Sequence, residues 1–525
     1  MARLGYIFSE VSLILNILLS STAQIFPVPR NEDKTFWQNQ AAEEIQIAMA
    51  TATSYNWGIA KNVVLFVGDG MGITPTVAGR IFKGQKRFGR SGEEEYLSWE
   101  KFPHMSLVKV YNTDRQVPDS AATATAFLTG TKGNFYTIGL DSSVSMNQCL
   151  KSRDPKTWQS SVLEWAQDVG KDTGFVTTTT VTHGTPAALY AHSANREWEC
   201  DAFLREEGHG CKDIARQLVE DLPGQNIKVI MGGGRLAMGA VPSTQPQHES
   251  VCTRKDRRNL ANEWISSKEV HGRKVSYVQN QRELLNVDTA NSDYLLGLFA
   301  DSHMAYEADR NKSIEGEPSL ANMTSTAIKI LSKNKHNGFF LMVEGGRIDH
   351  ALHSTQTHKA LEEILAFDDA VNTALSMVDL RETLFIVTSD HSHVMTINGY
   401  PERGNNILGV ADVSTVDQLP YTTLMFTNGP SYDHYWNGTH VTRPNISSMD
   451  ISNKEYTPIV AVPSLYESHS GDDVATYAQG PMAHLFHTLH EQTYVAHVMG
   501  FAACMGPYKF NCTRPEAHLS RLLRR

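Results

Sequence analysis

The chain has 525 residues, of which 41% are hydrophobic and 20% are charged, a composition typical of a folded globular protein. This length suits one large α/β domain or two to three smaller ones. The net charge of −10 argues against a nucleic-acid-binding protein, because such proteins usually present a basic face. An acidic protein that acts on anionic ligands needs local positive charge, which bound metal ions can supply.

Residues 1–23 have the features of a secretory signal peptide. Arg3 is the one early basic residue, an apolar run extends from Val11 to Leu19, and small residues precede a cleavage site after Ala23. Glu10 lies unusually close to that run, so a buried N-terminal helix is the alternative interpretation. No later stretch of the sequence approaches the ~18 apolar residues of a membrane span. We therefore expect a secreted protein.

Five short β-branched or aromatic runs recur along the chain, and each ends in a turn rich in glycine, acidic residues or histidine. Such runs are typical of buried parallel strands, and helical stretches separate them here. The sequence therefore predicts a doubly wound α/β fold, a mostly parallel sheet flanked by helices, with ligands at the carboxyl ends of the strands. The predicted strands are Lys61–Val67, Thr173–Thr180, Lys228–Met231, Phe339–Val343 and Thr383–Thr388. The predicted helices include Trp158–Val169, Cys211–Leu222 and Leu320–Ser332.

The remaining segments depart from this alternation. Residues 24–60 form a predicted N-terminal arm that contains a helix from Glu43 to Thr51. A main domain follows over residues 61–512. Within it, from about 399 to 463, glycine, proline, asparagine and tyrosine become dense, which predicts a small β-rich lobe inserted on the surface. Residues 513–525 form a short basic tail.

Six cysteines and five N-x-S/T sequons are consistent with passage through a secretory pathway. Cys504 and Cys512 are close enough in sequence for a short-loop disulfide, although spacing alone does not fix the connectivity. The other cysteines are Cys149, Cys200, Cys211 and Cys252. The candidate glycosylation sites are Asn311, Asn322, Asn437, Asn445 and Asn511.

One serine, Ser120, precedes a run of small residues. Pro118 restrains the backbone ahead of it, and Ala121 to Phe127 predicts the start of a helix with little side-chain bulk. Ser120 would lie in the first turn, where free N–H groups and the helix dipole favour an anion. A hydroxyl aimed at a phosphate-sized site is one interpretation. The other is an Asp119–Ser120 pair that caps an ordinary helix.

Acidic residues and histidines follow the predicted strands. Asp69 lies in a glycine-rich turn that exposes its carboxylate, although a plain turn aspartate is the alternative. If a helix begins near Asp349, His353 shares its face at i, i+4, as either a pair of metal ligands or a surface contact. Asp390 and His391 follow the strongest strand pattern of the chain.

Taken together, these clusters favour a metal centre. His469, further on, lies in a polar turn, where a lone histidine is more often structural than a ligand. The clusters offer oxygen and nitrogen ligands without thiolates, a set that suits zinc, whereas all-oxygen sets suit magnesium. Two such ions would lower the pKa of a serine nucleophile and neutralise a transferring phosphoryl group.

Four motifs resemble the alkaline phosphatase family, in its animal branch. The similarity extends from about Phe26 to Cys512, and its motifs are long and specific. The motifs are Val67–Gly72 (VGDGMG), Pro118–Ala126 (PDSAATATA), Val343–His350 (VEGGRIDH) and Ser389–His393 (SDHSH).

The resemblance implies hydrolysis of phosphate monoesters at alkaline pH with two zinc ions and one magnesium ion. Ser120 would be the nucleophile that forms a phosphoserine, and Arg196 would grip two phosphate oxygens with its guanidinium fork. His183 would stand beside the magnesium site. The implied ligands are Asp349, His353 and His469 for the first zinc; Asp69, Asp390, His391 and the Ser120 oxygen for the second; and Asp69, Thr185 and Glu344 for magnesium.

The resemblance also implies a covalent and quaternary framework. Disulfides would join Cys149 to Cys211 and Cys504 to Cys512, and the pairing of the two remaining cysteines stays open. Family members are usually dimeric. The N-terminal helix and the inserted crown-like surface lobe would then contact a second copy of the chain. Tyr400 is the candidate contact in that lobe.

Two departures from the family bear on calcium and attachment. Ala300 follows Gly297–Phe299, where animal members often carry an acid that binds calcium, so a calcium site is not expected. The end of the chain, Leu519–Arg525, is basic and too short for the apolar tail that precedes lipid anchoring. We therefore expect a soluble secreted enzyme without a membrane anchor that acts on small phosphomonoesters.

Two alternatives were weighed against this hypothesis. The first is a related enzyme such as a phosphodiesterase or a sulfatase. A sulfatase needs a modifiable Cys or Ser that begins the pattern C/S-x-P-x-R, and the residues after Ser120 lack its proline and arginine. The second alternative is a catalytically inactive, phosphatase-like secreted binding protein. The loss of a metal ligand would favour it, yet every implied ligand is present, as are Ser120 and Arg196.

Overall fold

A computed structural model of the chain describes residues 24–28, 32–242, 252–431, 435–436, 439 and 441–510. It confirms the predicted α/β class. The strands of this part of the chain are β1 (Asn62–Gly68), β2 (His104–Lys109), β3 (Asp172–Thr180), β4 (Val229–Gly233), β5 (Val275–Val278), β6 (Tyr294–Leu298), β7 (Phe339–Gly345), β8 (Thr383–Ser389), β9 (Ser392–His393), β10 (Met395–Ile397), β11 (Val410–Val413), β12 (Pro420–Thr422), β13 (Leu424–Gly429), β14 (Tyr435–Trp436), β15 (Val441–Thr442), β16 (Val460–Pro463), β17 (His469–Ser470), β18 (Val474–Gln479) and β19 (Leu489–Glu491). The α-helices are Lys34–Thr53, Ile73–Phe88, Ser120–Thr129, Cys149–Ser152, Val162–Asp168, Gly184–Ala187, Ile214–Glu220, Leu260–Glu269, Gln281–Leu285, Leu320–Leu331, Arg347–His353, Thr357–Met377 and Tyr494–Ala502.

Ten strands form one central sheet in the order β19-β2-β18-β8-β1-β7-β3-β4-β6-β5. From β8 to β5 all neighbours are parallel, whereas β18 runs antiparallel to β8 and β2. Side chains of β1 alternate between two hydrophobic clusters: Val63 and Leu65 join one, and Val64 and Phe66 join the other. The sheet is therefore buried on both faces, which explains why its strands are continuously apolar.

Capping residues set helix limits that differ from the predicted ones. The helix expected from Trp158 begins instead at Val162, because the Ser161 side chain accepts the N–H of Glu164 at 3.2 Å. The helix expected from Cys211 begins at Ile214, where Asp213 accepts the N–H of Arg216 at 2.9 Å.

The N-terminal helix, Lys34–Thr53, is longer than the predicted segment, and none of its residues is buried. Asp33 caps it by accepting the N–H of Phe36 at 2.9 Å. Large apolar side chains remain exposed along it, including Ile45, Ile47 and Met49. Such an apolar surface is unusual for an isolated monomer.

The segment between residues 395 and 463 is rich in short strands, as predicted for the inserted lobe. It contains a three-stranded sheet, β10-β13-β16, and two-stranded sheets of β11 with β12 and β14 with β15. Its described residues include no α-helix. The exact limits of arm, lobe and main domain stay predictions.

Parallel strand direction brings the predicted polar turns to one edge of the sheet. Asp69 follows β1, the helix Arg347–His353 follows β7, and Asp390 follows β8. Because β18 is antiparallel, its amino end points to the same edge, and β17 lies just before it. β17 pairs with β9, which sets His469 opposite His393.

The disulfides agree in part with the implied set. Cys149 pairs with Cys211, and Cys200 pairs with Cys252. Cys504 is disulfide-bonded as well. Its expected partner Cys512, the leader 1–23, the tail 513–525, Asn437 and Asn511 lie outside the described residues.

Two further surface properties concern sugars and membranes. Among the described sequons, Asn311 and Asn445 are exposed, whereas Asn322 is half-buried in the helix Leu320–Leu331. None of the described helices combines the length and apolar character that crossing a lipid bilayer requires.

Candidate active site

The helix Ser120–Thr129 begins at the sheet edge, and Asp119 caps it. One carboxylate oxygen of Asp119 accepts the N–H of Ala121 at 3.1 Å and a guanidinium N–H of Arg196 at 3.2 Å. The other oxygen accepts the N–H of Tyr136 at 2.9 Å. The capping interpretation is therefore correct, and the same cap ties Arg196 to the turn that carries Ser120.

The Ser120 hydroxyl points into a cluster of metal-binding side chains. Its Oγ lies 3.1 Å from Nε2 of His391 and 3.4 Å from Oδ1 of Asp69. Every residue of the helix Ser120–Thr129 is buried. At its start, an added Cβ on Gly184 would come within 3.2 Å of both Ala121 and Arg196, so small residues are needed for this close approach.

A glycine turn holds Asp69 in place. Gly70 has a φ of +69°, and a Cβ there would lie 2.4 Å from Nε2 of His393. Its N–H donates to Oδ1 of Asp390 at 3.0 Å. Only glycine fits this conformation and this space, which explains the Gly-Asp-Gly pattern around Asp69.

Asp349, His353 and His469 form the first group, with His393 beside them. One ligand atom from each of these four residues lies within 4.8 Å of the others. Nε2 of His469 is 3.2 Å from Asp349 and 3.0 Å from Nε2 of His353. His469 thus belongs to the cluster, as the family resemblance implies, although its local sequence alone favoured a structural role.

The ring nitrogens in this group are oriented by backbone carbonyls. Nδ1 of His469 donates to the carbonyl of Pro118 at 2.7 Å, and Nδ1 of His353 donates to that of Glu467. In the neutral rings, both Nε2 atoms then carry lone pairs that face each other across 3.0 Å. Two facing lone pairs repel unless a cation lies between them, and this orientation is typical of metal-binding histidines.

Asp69, Asp390 and His391 form the second group, around Ser120. Nε2 of His391 lies 3.1 Å from Asp390 and 3.4 Å from Asp69. Nδ1 of His391 faces the carbonyl of Ser392 at 3.3 Å, which leaves Nε2 toward the carboxylates. Asp349 also approaches, because its ligand atom lies within 4.8 Å of those of Asp69 and His391.

The third group contains Asp69, Glu344 and, unexpectedly close, His183. The sequence places His183 only beside this site, whereas one of its ring nitrogens lies within 4.8 Å of both carboxylates. Among the described residues, four buried atoms here have no hydrogen-bond partner: Oδ2 of Asp69, Oε1 of Glu344, Oγ1 of Thr185 and Nδ1 of His183. Unpartnered buried polar atoms are costly, so the group fits a bound ion.

Negative charge dominates the site. Burial, reinforced by neighbouring carboxylates, raises the pKa of Asp69 well above its usual range, and burial raises that of Glu344 to about 7. Burial opposes ionisation of Asp349 too, but three histidines outweigh it and hold that pKa well below its usual range. Burial lowers the pKa of His391, so its ring stays neutral and able to bind metal. Bound cations would relieve this repulsion.

Asp349, His353 and His469 line a cavity of about 560 Å³ together with Ser120 and His183, whereas Asp69, Asp390, His391 and Glu344 are fully buried and do not line it. Arg196 lines it, and its Nη2 lies 2.7 Å from Nε2 of His183. Tyr136, also in the wall, has a φ of +68° and accepts the N–H of Arg196 at 2.9 Å. A strained backbone of this kind is common beside functional sites.

Sequence reasoning missed several residues of this site. His393 and Glu467 lie behind the first group, and His303 and His350 line the cavity. His393 ends the motif Ser389–His393, but the resemblance implies no role for it. For Glu467 the only signal is its position two residues before His469, which places both side chains on one face of an extended segment. Nothing in the local sequence around His303 indicates its position.

Comparisons with known proteins agree with this geometry. Residues 60–505 match the family model described as alkaline phosphatase. The chain is 44% identical to the tissue-nonspecific alkaline phosphatase of Gallus gallus, over 96% of this chain and 97% of that protein. It is 42% identical to the membrane-bound alkaline phosphatase of Bombyx mori, over 94% and 90%. A magnesium-bound variant of the TAB5 bacterial alkaline phosphatase matches 86% of this chain and 99% of that one, with a TM-score of 0.57 at 22% identity.

Proposed function

The chain belongs to the alkaline phosphatase family, and from this premise we propose that it hydrolyses phosphate monoesters at alkaline pH through a phosphoserine at Ser120. One observation carries the proposal. The Ser120 hydroxyl and the Arg196 guanidinium line one cavity with Asp349, His353, His469 and His183, and Oγ of Ser120 also contacts the buried side chains of His391 and Asp69. An inactive binding protein would have lost one of these parts, and none is lost.

The chemistry of Ser120 has two steps. In the first, Oγ of Ser120 loses its proton to solvent and bonds to phosphorus while the bond from phosphorus to the leaving oxygen breaks, and the leaving oxygen takes a proton from solvent to depart as an alcohol. In the second, a water molecule gives up one proton to solvent and its oxygen bonds to phosphorus while the bond to Oγ breaks; Oγ regains a proton, which restores the serine and frees phosphate. Both are in-line displacements at phosphorus.

Arg196 holds the phosphoryl group during both steps. Asp119 holds Nη1 at 3.2 Å and His183 lies 2.7 Å from Nη2, so each terminal nitrogen keeps a second N–H group for a non-bridging oxygen. Its positive charge stabilises the negative charge that these oxygens carry. Asp119 thus couples the position of the nucleophile to that of the phosphate-binding group.

The donor sets fit the proposed ions, as the facing nitrogens and unpartnered oxygens indicate. We assign zinc to Asp349, His353 and His469, and to Asp69, Asp390 and His391 with Ser120; magnesium goes to Asp69, Glu344 and Thr185, with His183 close by. When bound, these ions would neutralise phosphoryl charge and favour the ionised serine. The absence of a calcium site stays a prediction.

We extend the proposal to assembly and export. The exposed apolar side chains of the helix Lys34–Thr53 support a homodimer, as does Tyr400, which is 99% exposed. The described disulfides suit an oxidising compartment, so we propose secretion with glycans on Asn311 and Asn445. Light scattering tests the dimer: a variant with Ile45→Asp and Ile47→Asp should be monomeric, whereas a dimeric variant would contradict it.

Replacement of the nucleophile tests the function. Ser120→Ala should lower kcat on p-nitrophenyl phosphate at alkaline pH by roughly a thousandfold or more, because no oxygen remains to attack phosphorus. Ser106→Ala is the matched control, since Ser106 is also buried but lies on β2 outside the cavity. A Ser120→Ala enzyme as active as the control would refute the proposal.

A further inference from the structure

A second cavity, of about 640 Å³, lies beside the Cys149–Cys211 disulfide. It shares no lining residue with the active-site cavity. Ser193 and Trp198 form part of its wall, and the same segment of chain carries Arg196 to the active site. Its volume is within the range of small-molecule binding sites.

Trp158 forms a rigid aromatic shelf in this cavity. Its indole Nε1 donates to the carbonyl of Ser152 at 2.7 Å. One face of the ring stacks on His192, with centroids 4.6 Å apart and planes 12° from parallel. The side chain is nevertheless 44% exposed, so the other face is open to a ligand. A fixed indole with an open face suits stacking by a flat ring.

Positive charge at the cavity is only partly compensated. Lys212 pairs with Glu220 at 3.1 Å, and Arg216 pairs with the same carboxylate at 3.0 Å. Arg153 also lines the cavity, and within the described part of the chain its guanidinium has neither an ion pair nor a hydrogen bond. Its planar fork is therefore available to a carboxylate.

We propose that this cavity binds an aromatic carboxylate, with the ring stacked on Trp158 and the carboxylate paired with Arg153. A sugar would need several free hydrogen-bonding groups around the shelf. Two candidates for that role are engaged, because Asp221 pairs with Lys212 at 2.5 Å and Gln217 bonds the backbone of His192 at 2.8 Å. The uncompensated charge and the flat shelf favour an aromatic anion instead.

Calorimetric titration of the full-length enzyme with 2-naphthoate and its neutral analogue 2-naphthamide tests this site. The wild type should bind the carboxylate about tenfold more tightly than the amide, because only the carboxylate forms a charge-assisted pair with Arg153. Equal affinity for both compounds, or no binding of either, would overturn the proposal.

Two arginine variants localise the binding. Arg153→Gln should weaken 2-naphthoate binding about tenfold and leave turnover of p-nitrophenyl phosphate unchanged. It removes no contact of the described structure, so folding should be intact. A variant at an exposed arginine that does not line the cavity, Arg205→Gln, should bind as the wild type does. If Arg153→Gln bound 2-naphthoate as tightly as this control, the assignment would be wrong.

Discussion

Oε2 of Glu467 lies 2.5 Å from Nδ1 of His393, and both side chains are buried. On the other side of the ring, Nε2 of His393 lies 2.8 Å from Oδ1 of Asp349. Burial alone would lower the pKa of His393, but Glu467 and Asp349 raise it to about 10. The histidine is thus held between two carboxylates, and it fixes one oxygen of Asp349 while the other faces His353 at 3.4 Å.

Glu467→Gln tests this support of the first metal group. The variant removes the charge that orients His393, so Asp349 should be held less firmly, and we expect zinc affinity to fall roughly 10- to 100-fold. Zinc content after dialysis, together with kcat, measures the effect. Glu382→Gln, a half-buried acid paired with Lys61 far from the metal groups, is the control. Unchanged zinc content in Glu467→Gln would show that Glu467 has no such role.

Metal removal should destabilise the protein as well as inactivate it. Four carboxylates are buried close together: Asp69, Glu344, Asp349 and Asp390. Without cations their repulsion is unrelieved, and each ion at 100 to 1,000 times its Kd would contribute about 3–4 kcal/mol. A chelator should therefore lower both Tm and activity, and zinc plus magnesium should restore both. Full activity after exhaustive chelation would contradict the metal assignment.

Arg196→Lys should separate charge from geometry. Lysine keeps the positive charge but cannot bind two phosphate oxygens and Asp119 in one plane, so we expect kcat/KM to fall roughly 10- to 100-fold. Steady-state kinetics on p-nitrophenyl phosphate measure this loss. Arg115→Lys is the matched control, because Arg115 lines the same cavity but is exposed, and its Nη1 contacts only Asp114, at 2.9 Å from the carbonyl and 3.5 Å from the carboxylate. Equal losses in both variants would argue against a specific phosphate-binding role.

Glu363 and Glu362, adjacent in the helix Thr357–Met377, should respond to pH in opposite directions. Burial raises the pKa of Glu363 to about 7. The folded state therefore loses stability as pH rises from about 4.5 to 7, because the unfolded chain ionises Glu363 more easily. At pH 9 the free energy of unfolding is lower by up to roughly 3 kcal/mol. Burial also opposes ionisation of Glu362, but His358 and Lys86 lower its pKa to about 2.

Thermal unfolding of two variants checks this contrast. Glu363→Gln should raise the free energy of unfolding at pH 9 relative to pH 4, by about 1–3 kcal/mol, because the buried charge is removed. Glu362→Gln should instead lower stability at pH 9, since its ion pair is lost. The same sign of change in both variants would show that burial does not govern Glu363.

The sequence predicted those residues of the site that directly follow a recognisable strand. Asp69, Asp349 and Asp390 follow strands that are recognisable from their apolar runs, and parallel strands must end at one edge. The contact between His393 and Glu467 depends instead on pairing of β9 with β17, which joins residues far apart in sequence. No local pattern encodes that pairing.

Helix limits were less predictable for a similar reason. The helix Lys34–Thr53 has no buried face in the described chain, so the periodicity that reveals a packed helix is weak there. In the helices that begin at Val162 and Ile214, single capping side chains decided the start over the apolar pattern. Candidate capping residues are visible in the sequence, but several serines and aspartates near each helix could serve, so the sequence does not show which one does.

The antiparallel strand β18 has a consequence for biosynthesis. The strand begins at the functional edge of the sheet, so β17 just before it brings His469 to Asp349 only after 119 intervening residues have been made. A ribosome-bound chain that lacks β17 and β18 holds the earlier acids and histidines without their final partner. We expect uptake of the first zinc to follow synthesis of almost the whole polypeptide, so that metal loading marks a finished chain.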